Sequence, residues 1–221
     1  MATEKREHRR YVFTVEGETE RWYLEWLQEQ LNLCPESKFT VSIVSKVQQS
    51  PQKFAKTVNP ISTSKVTHIC DYESNDAFHV KKFRGILSEL KNANSFYGRE
   101  FRYNLGYSNF TFELWIVLHK QDYGTIFTDR KQYLPLINKS FGENFENLDQ
   151  YKHEKNFKRC LSKLTLDNAR DAITRSKKIM EDKTTYGVSR EEYKGFVYYK
   201  DNPSLTIWKP IEGILKECGL L

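Results

Sequence analysis

The sequence has no apolar run near the roughly 20 residues that a membrane helix needs, so no membrane span is expected. It has no pair of cysteines at zinc-ligand spacing. Cys34, Cys70, Cys160 and Cys218 are scattered, which excludes a zinc finger or ribbon and reads as four reduced thiols in a cytoplasmic protein. There is no internal repeat and no low-complexity tract, so solenoids and disordered linkers drop out. A secretory signal is also absent from the expected features: residues 1–10 are charged, and the apolar stretch after them is one strand long.

What is present is an aromatic-rich chain of 221 residues with 38% apolar content, enough to fold around one full core, with room for a small second lobe. Its formal net charge of +6 is uneven. Residues 151–200 carry thirteen Lys and Arg against seven Asp and Glu, which accounts for the whole excess. A basic segment suits a polyanionic partner, although a solvated lysine-rich helix surface has the same composition.

Hydrophobic periodicity orders the first half as alternating strands and helices. Strands are predicted at residues 11–15, 39–44, 66–70 and 101–105. A helix capped by Thr19 is expected to bury Trp22, Tyr23, Trp26, Leu27, Gln30 and Leu31, and another spans residues 76–94. A turn-rich stretch at residues 48–63, with Pro51 and Pro60, is given a short helix at 54–58. This order predicts an α/β fold, a parallel sheet with helices on both faces. The second half is mostly helical: residues 112–120, 131–139, 155–164, 167–183 and 208–218, with a mobile loop at 184–193. The expected division is a metal-site domain at residues 1–120 and a helical, basic extension at 121–221, which one continuous domain would also accommodate.

Two of the strands run into acids. Tyr11 to Val15 leads to Glu16-Gly17-Glu18-Thr19-Glu20, and Val66 to Cys70 leads to Asp71-Tyr72-Glu73. In an open α/β sheet, ligands bind beyond the carboxyl ends of the strands, and magnesium prefers hard oxygen donors. Glu16, Asp71 and Glu73 are therefore the candidate metal ligands and catalytic groups, with Mg2+ or Mn2+ as the ion. Gly17 is expected to permit an unusual turn beside the acid. Glu18 is assigned to the solvated turn. Asp71 and Glu73 project to one side if their strand continues through them, and Tyr72 then points away.

These residues carry a resemblance. The run Val15 to Glu20 resembles the VEGxTE signature of Toprim domains, and Asp71-Tyr72-Glu73 resembles their DxD element, with glutamate replacing the second aspartate. The run Tyr107 to His119 resembles the SNPxFELWLLLH motif of the RloB-like family, with Phe110-Thr111 replacing its proline-containing pair. Asn202-Pro203-Ser204 resembles that family's NPST. The resemblance implies a Toprim fold, catalytic or metal-binding roles for Glu16, Asp71 and Glu73, a phosphodiester-cleaving activity in bacterial antiviral defence, and a partner ATPase.

Glu113, amid Phe112, Leu114 and Trp115, is either buried with a partner or turned to the cleft, and the motif favours a catalytic place. His119 reads as a structural helix-end histidine. Lys152, Lys155, Arg170, Lys177 and Lys178 are the candidate contacts to DNA or RNA. The composition leaves two other readings open: a partner-binding or toxin-regulatory subunit of an ATPase complex, and a nucleic-acid-binding module without catalysis. Homo-oligomerisation is left open by the sequence.

Overall fold

The computed structural model describes residues 6–59, 65–96 and 101–221. Residues 1–5 of the charged N-terminus, and Pro60 with the end of the turn-rich stretch, lie outside the described residues. Four parallel strands form the centre: β1 (Glu7–Val15), β2 (Phe39–Val47), β3 (Lys65–Asp71) and β4 (Arg102–Asn109). Their order is β2-β1-β3-β4. Helix α1 (Glu18–Leu33) connects β1 to β2, and α3 (Ala77–Phe96) connects β3 to β4. The short α2 (Pro51–Ala55) begins at Pro51, earlier than the proline-punctuated sequence suggested, because Ser50 caps it by accepting from the Lys53 N–H.

Helices cover both sheet faces, as the alternating pattern predicts. One face packs α1, α4 (Glu113–Leu118), α5 (Tyr133–Phe141), α7 (Glu154–Leu161), α8 (Leu166–Thr185) and α9 (Trp208–Glu217) into a single apolar cluster. That cluster joins Phe13, Trp22 and Leu27 to Phe157, Ile173 and Ile214, so both halves of the chain share a core. The other face packs Val12, Val66 and Cys70 against Phe83, Leu87 and Leu90 of α3.

Several local expectations are corrected. Thr19 does not cap α1: the N-cap is Gly17, and Thr19 is buried within the first turn. Gln30 is only half-buried, while Leu24 joins the core. The expected mobile loop at 184–193 instead ends α8 and enters a two-stranded hairpin, β5 (Glu191–Tyr193) with β6 (Phe196–Tyr198), turned by Lys194 and Gly195 at positive φ. A further strand, β7 (Ser204–Leu205), pairs antiparallel with the end of β4. Two residues are too short a segment to show a strand period, so β7 left no signal in the sequence.

Candidate metal centre

Glu16 follows the last residue of β1, and Asp71 is the last residue of β3; these strands are hydrogen-bonded neighbours running parallel, so both acids lie at one sheet edge. They meet directly. The Asp71 backbone N–H donates to Glu16 Oε2 at 2.9 Å. Asp71 Oδ1 and Glu16 Oε1 are buried and accept no hydrogen bond among the described residues. Ser108 stands opposite Asp71 in the β3–β4 register, and its buried hydroxyl is unpaired as well.

Two further acids join from outside the strands. Glu113 heads α4, is 1% exposed, and has Lys152 Nζ 2.9 Å from its Oε1, while its Oε2 finds no partner among the described residues. Lys152 comes from α6 (Leu148–Lys152), in the helical second half. Glu20, on the first turn of α1, is buried and accepts from the Thr19 hydroxyl at 2.9 Å. Position 17 explains itself here. Gly17 has φ −141°, extended backbone open to any residue, so the expected unusual turn is absent. A Cβ at Gly17 would instead meet Glu20 Oε2 at 3.1 Å, and the glycine clears space for that carboxylate.

The electrostatics bind these groups into one cluster. Burial raises Asp71 well above the ordinary carboxylate range, and the charges of Glu20, Glu16 and Glu113 add to the rise. Burial also raises Glu16, against the opposing Asp71 N–H and Lys82 ammonium. Glu20 is pushed up to about 7 by burial, with Glu113 contributing. Burial works against the Lys152 charge, yet Glu113, Asp71 and Glu20 together raise its pKa. Burial raises the Tyr133 and Tyr151 phenols, and the Glu113 charge adds to the rise.

Glu73 departs from the expected geometry. The strand ends at Asp71, and Glu73 takes a left-handed backbone with φ 59°, so the two acids do not continue one strand face. Its N–H bonds to the Phe110 carbonyl at 3.0 Å, which turns the chain. Its carboxylate pairs with Lys82 of α3 and lies 3.3 Å from His79 Nε2. Lys82 Nζ is also 3.8 Å from Glu16 Oε1, so this lysine stands between Glu16 and Glu73. Tyr72 turns into the opposite core against Phe83 and Tyr198, and its hydroxyl donates to Asn75 Oδ1 at 2.9 Å. Glu18 is exposed and pairs with Arg21. His119 is buried, bonded to Tyr23 and to the Trp115 carbonyl.

Among the described residues no three His, Cys, Asp or Glu side chains are placed to hold one ion between them. The donor chemistry nevertheless fits a hard dication. It is all oxygen, it includes buried unpaired oxygens of Glu16 and Asp71, and magnesium commonly takes one or two carboxylates and keeps several waters. Lys82 and Lys152 supply the compensating positive charge as the side chains stand.

The other candidate nucleic-acid residues lie apart. Lys155 and Lys178 are exposed, with no ion pair among the described residues. Arg170 and Lys177 do not stand free on the solvent side of α8. Arg170 Nε donates to the Leu220 carbonyl at 2.8 Å, and Lys177 pairs with Glu212 of α9. Lys82 and Glu20 escaped the sequence reading. Glu20 sits in the quoted VEGxTE run, and its spacing of four from Glu16 was the available signal.

The sequence motifs also close on one another. Asn109, at the end of β4, donates to the Tyr199 carbonyl at 3.1 Å and the Lys200 carbonyl at 2.8 Å. Asn202 accepts from the Phe127 N–H at 2.8 Å and donates to the Phe127 carbonyl at 2.9 Å. The SN and NP pairs thus fasten three chain segments beside the acidic cluster. A match to the RloB-like protein family runs over residues 11–214. The chain belongs to the RloB-like family. No curated protein and no solved structure matches it. The matched span of this RloB-like chain contains every acid of the cluster and both asparagine clamps.

Proposed function

We propose that this RloB-like protein is a Mg2+- or Mn2+-dependent nuclease of Toprim type that cleaves phosphodiester bonds. The observation that carries the reading is the concentration of buried carboxylate oxygens that accept no hydrogen bond among the described residues, Glu16 Oε1 and Asp71 Oδ1 at the carboxyl edge of a parallel sheet and Glu113 Oε2 at the head of α4. Such groups are costly unless a ligand meets them. A dication bound there would polarise a phosphate and stabilise charge on the leaving oxygen. Glu16 and Asp71 would hold it. We assign proton exchange at the phosphate to Glu16, whose pKa burial raises. Lys82, 3.8 Å from Glu16 Oε1, would offset charge on the phosphate oxygens, and Lys152, 2.9 Å from Glu113 Oε1, would hold that carboxylate in position. The exposed Lys155 and Lys178 would contact the nucleic-acid backbone. The setting in antiviral defence, beside a partner ATPase, rests on the family resemblance.

The test is incubation of DNA and RNA pools with the protein, with and without Mg2+ or Mn2+. Cleavage is expected only with the metal. Glu16→Gln is expected to lower it at least about a hundredfold, the scale of losing a general acid or base. Glu18→Gln, in the exposed turn, is expected to leave it nearly unchanged. Equal losses in both would reassign the acids, and no cleavage under any condition would remove the nuclease reading.

A second reading, a partner-binding subunit without catalysis, is favoured by one observation. Glu73 is engaged by Lys82 and His79, which leaves Glu16 and Asp71 as a sparse pair. Retention of ATPase-partner binding by a Glu16→Gln, Asp71→Asn protein, together with no cleavage by the wild type, would select it.

A further inference from the structure

Next to Glu73 lies a cavity of about 490 Å³, walled by Phe110, Ile126, Phe127, Arg130 and Asp201. Its walls are built rather than incidental. Asn202 holds the backbone of Phe127 through two hydrogen bonds, Asn109 holds residues 199 and 200, and Asn75 Nδ2 reaches the Lys200 carbonyl at 3.3 Å. Phe127 is further braced by ring contacts to Tyr123 and Tyr133, at 4.8 Å and 4.9 Å. On this frame stand three exposed side chains. Ile126 is 70% exposed. Arg130 and Asp201 are exposed and form no ion pair among the described residues.

We infer that this cavity receives one unpaired nucleobase of the substrate strand, with the neighbouring phosphate on the carboxylate side of Glu73. The inference rests on the nuclease reading above and adds the substrate class. The chemistry is complementary. Phe110, Ile126 and Phe127 offer an apolar surface on which the flat face of a base can lie. Arg130 supplies a donor and Asp201 an acceptor for a base edge. A base inside a duplex presents neither its face nor its pairing edge, so it enters such a cavity only after leaving the stack. The pocket adjoins Glu73, whose partner Lys82 also lies 3.8 Å from Glu16 Oε1, so a base lodged in it would fix the register of the adjacent phosphate. The fixed walls lower the ordering cost of binding.

The experiment measures binding by fluorescence anisotropy in EDTA, using labelled single-stranded and duplex oligonucleotides of one sequence, in ribose and deoxyribose forms. Cleavage of the same four substrates is then followed in Mn2+. The protein is expected to bind single strands of at least one sugar type about tenfold tighter than the matching duplex, the scale of one base stacked on a side-chain platform. The double variant Ile126→Ser, Arg130→Ala changes two exposed side chains, and it is expected to abolish that preference while leaving duplex binding as it was. Equal binding of single strand and duplex, or an unchanged preference in the double variant, overturns the pocket assignment. The two readings separate cleanly. Glu16-dependent cleavage that runs as fast on duplex removes the pocket and keeps the nuclease. A single-strand preference that needs Ile126 and Arg130, without metal-dependent cleavage, keeps the pocket and removes the nuclease.

Discussion

Glu20 illustrates how much a single carboxylate can be altered by its surroundings. Its position on the first turn of α1 resembles an ordinary acid at a helix N-terminus. Its burial beneath Gly17, beside Glu113, raises its pKa to about 7. The sign follows from linkage. A folded pKa above the unfolded 4.5 means that the native state favours the protonated form. The associated stability is complete below the unfolded pKa and is lost as pH rises through the folded value. Glu20→Gln imitates the neutral acid at every pH. In metal-free buffer, the melting temperature of Glu20→Gln should therefore exceed that of wild type at pH 8, and the difference should shrink toward zero near pH 4.5. Thermal denaturation at the two pH values checks this. A difference independent of pH would show that Glu20 is not ionising inside the fold.

At the scale of elements, α8 and α9 are joined by the side chains that composition had marked for nucleic acid. Lys177 pairs with Glu212, and Arg170 reaches the carbonyl of Leu220. Lys177→Glu would set two carboxylates against each other, and urea unfolding should show a loss of about 1 kcal/mol, the upper scale of a partly exposed pair. Lys178→Glu, one residue on and exposed, should cost little. A weakened nucleic-acid affinity in Lys177→Glu would then require a stability control before it counted as a lost phosphate contact. The asparagine clamps act at the same scale. They tie the end of β4 to residues 199–202 and to Phe127, which is how a turn-rich segment far along the chain becomes a wall beside Glu73.

At the scale of the molecule, the sheet edge, α1, α3, α4 and α6 each deliver charge to one place. Like charges gathered there oppose folding, and a bound cation relieves them. Mg2+ or Mn2+ is expected to raise the melting temperature, because the assembled acids exist only in the native state. Asp71→Asn is expected to remove most of that shift while leaving the metal-free protein as stable as wild type or more so, since the buried charge it deletes is disfavoured. Differential scanning fluorimetry across a metal titration reads both effects. An equal metal shift in wild type and variant would move the ion to another part of the protein.

The parallel sheet, its covering helices and the acids closing β1 and β3 were legible in the sequence. Each depends on local rules: β-branched and aromatic runs form strands, helical spacing follows the buried stripe, and acids at strand ends share an edge once the strands are parallel. The turn at Glu73 was not legible, because its left-handed backbone is set by a hydrogen bond to Phe110, far along the chain. The meeting of Glu20, Glu113 and Lys152 was also decided by packing alone, since these residues come from α1, α4 and α6. The raised proton affinity of Glu20 needs the low dielectric that the folded core supplies. The motifs contained the acids, and only the three-dimensional packing placed Lys82 between Glu16 and Glu73 and set a cavity beside Glu73.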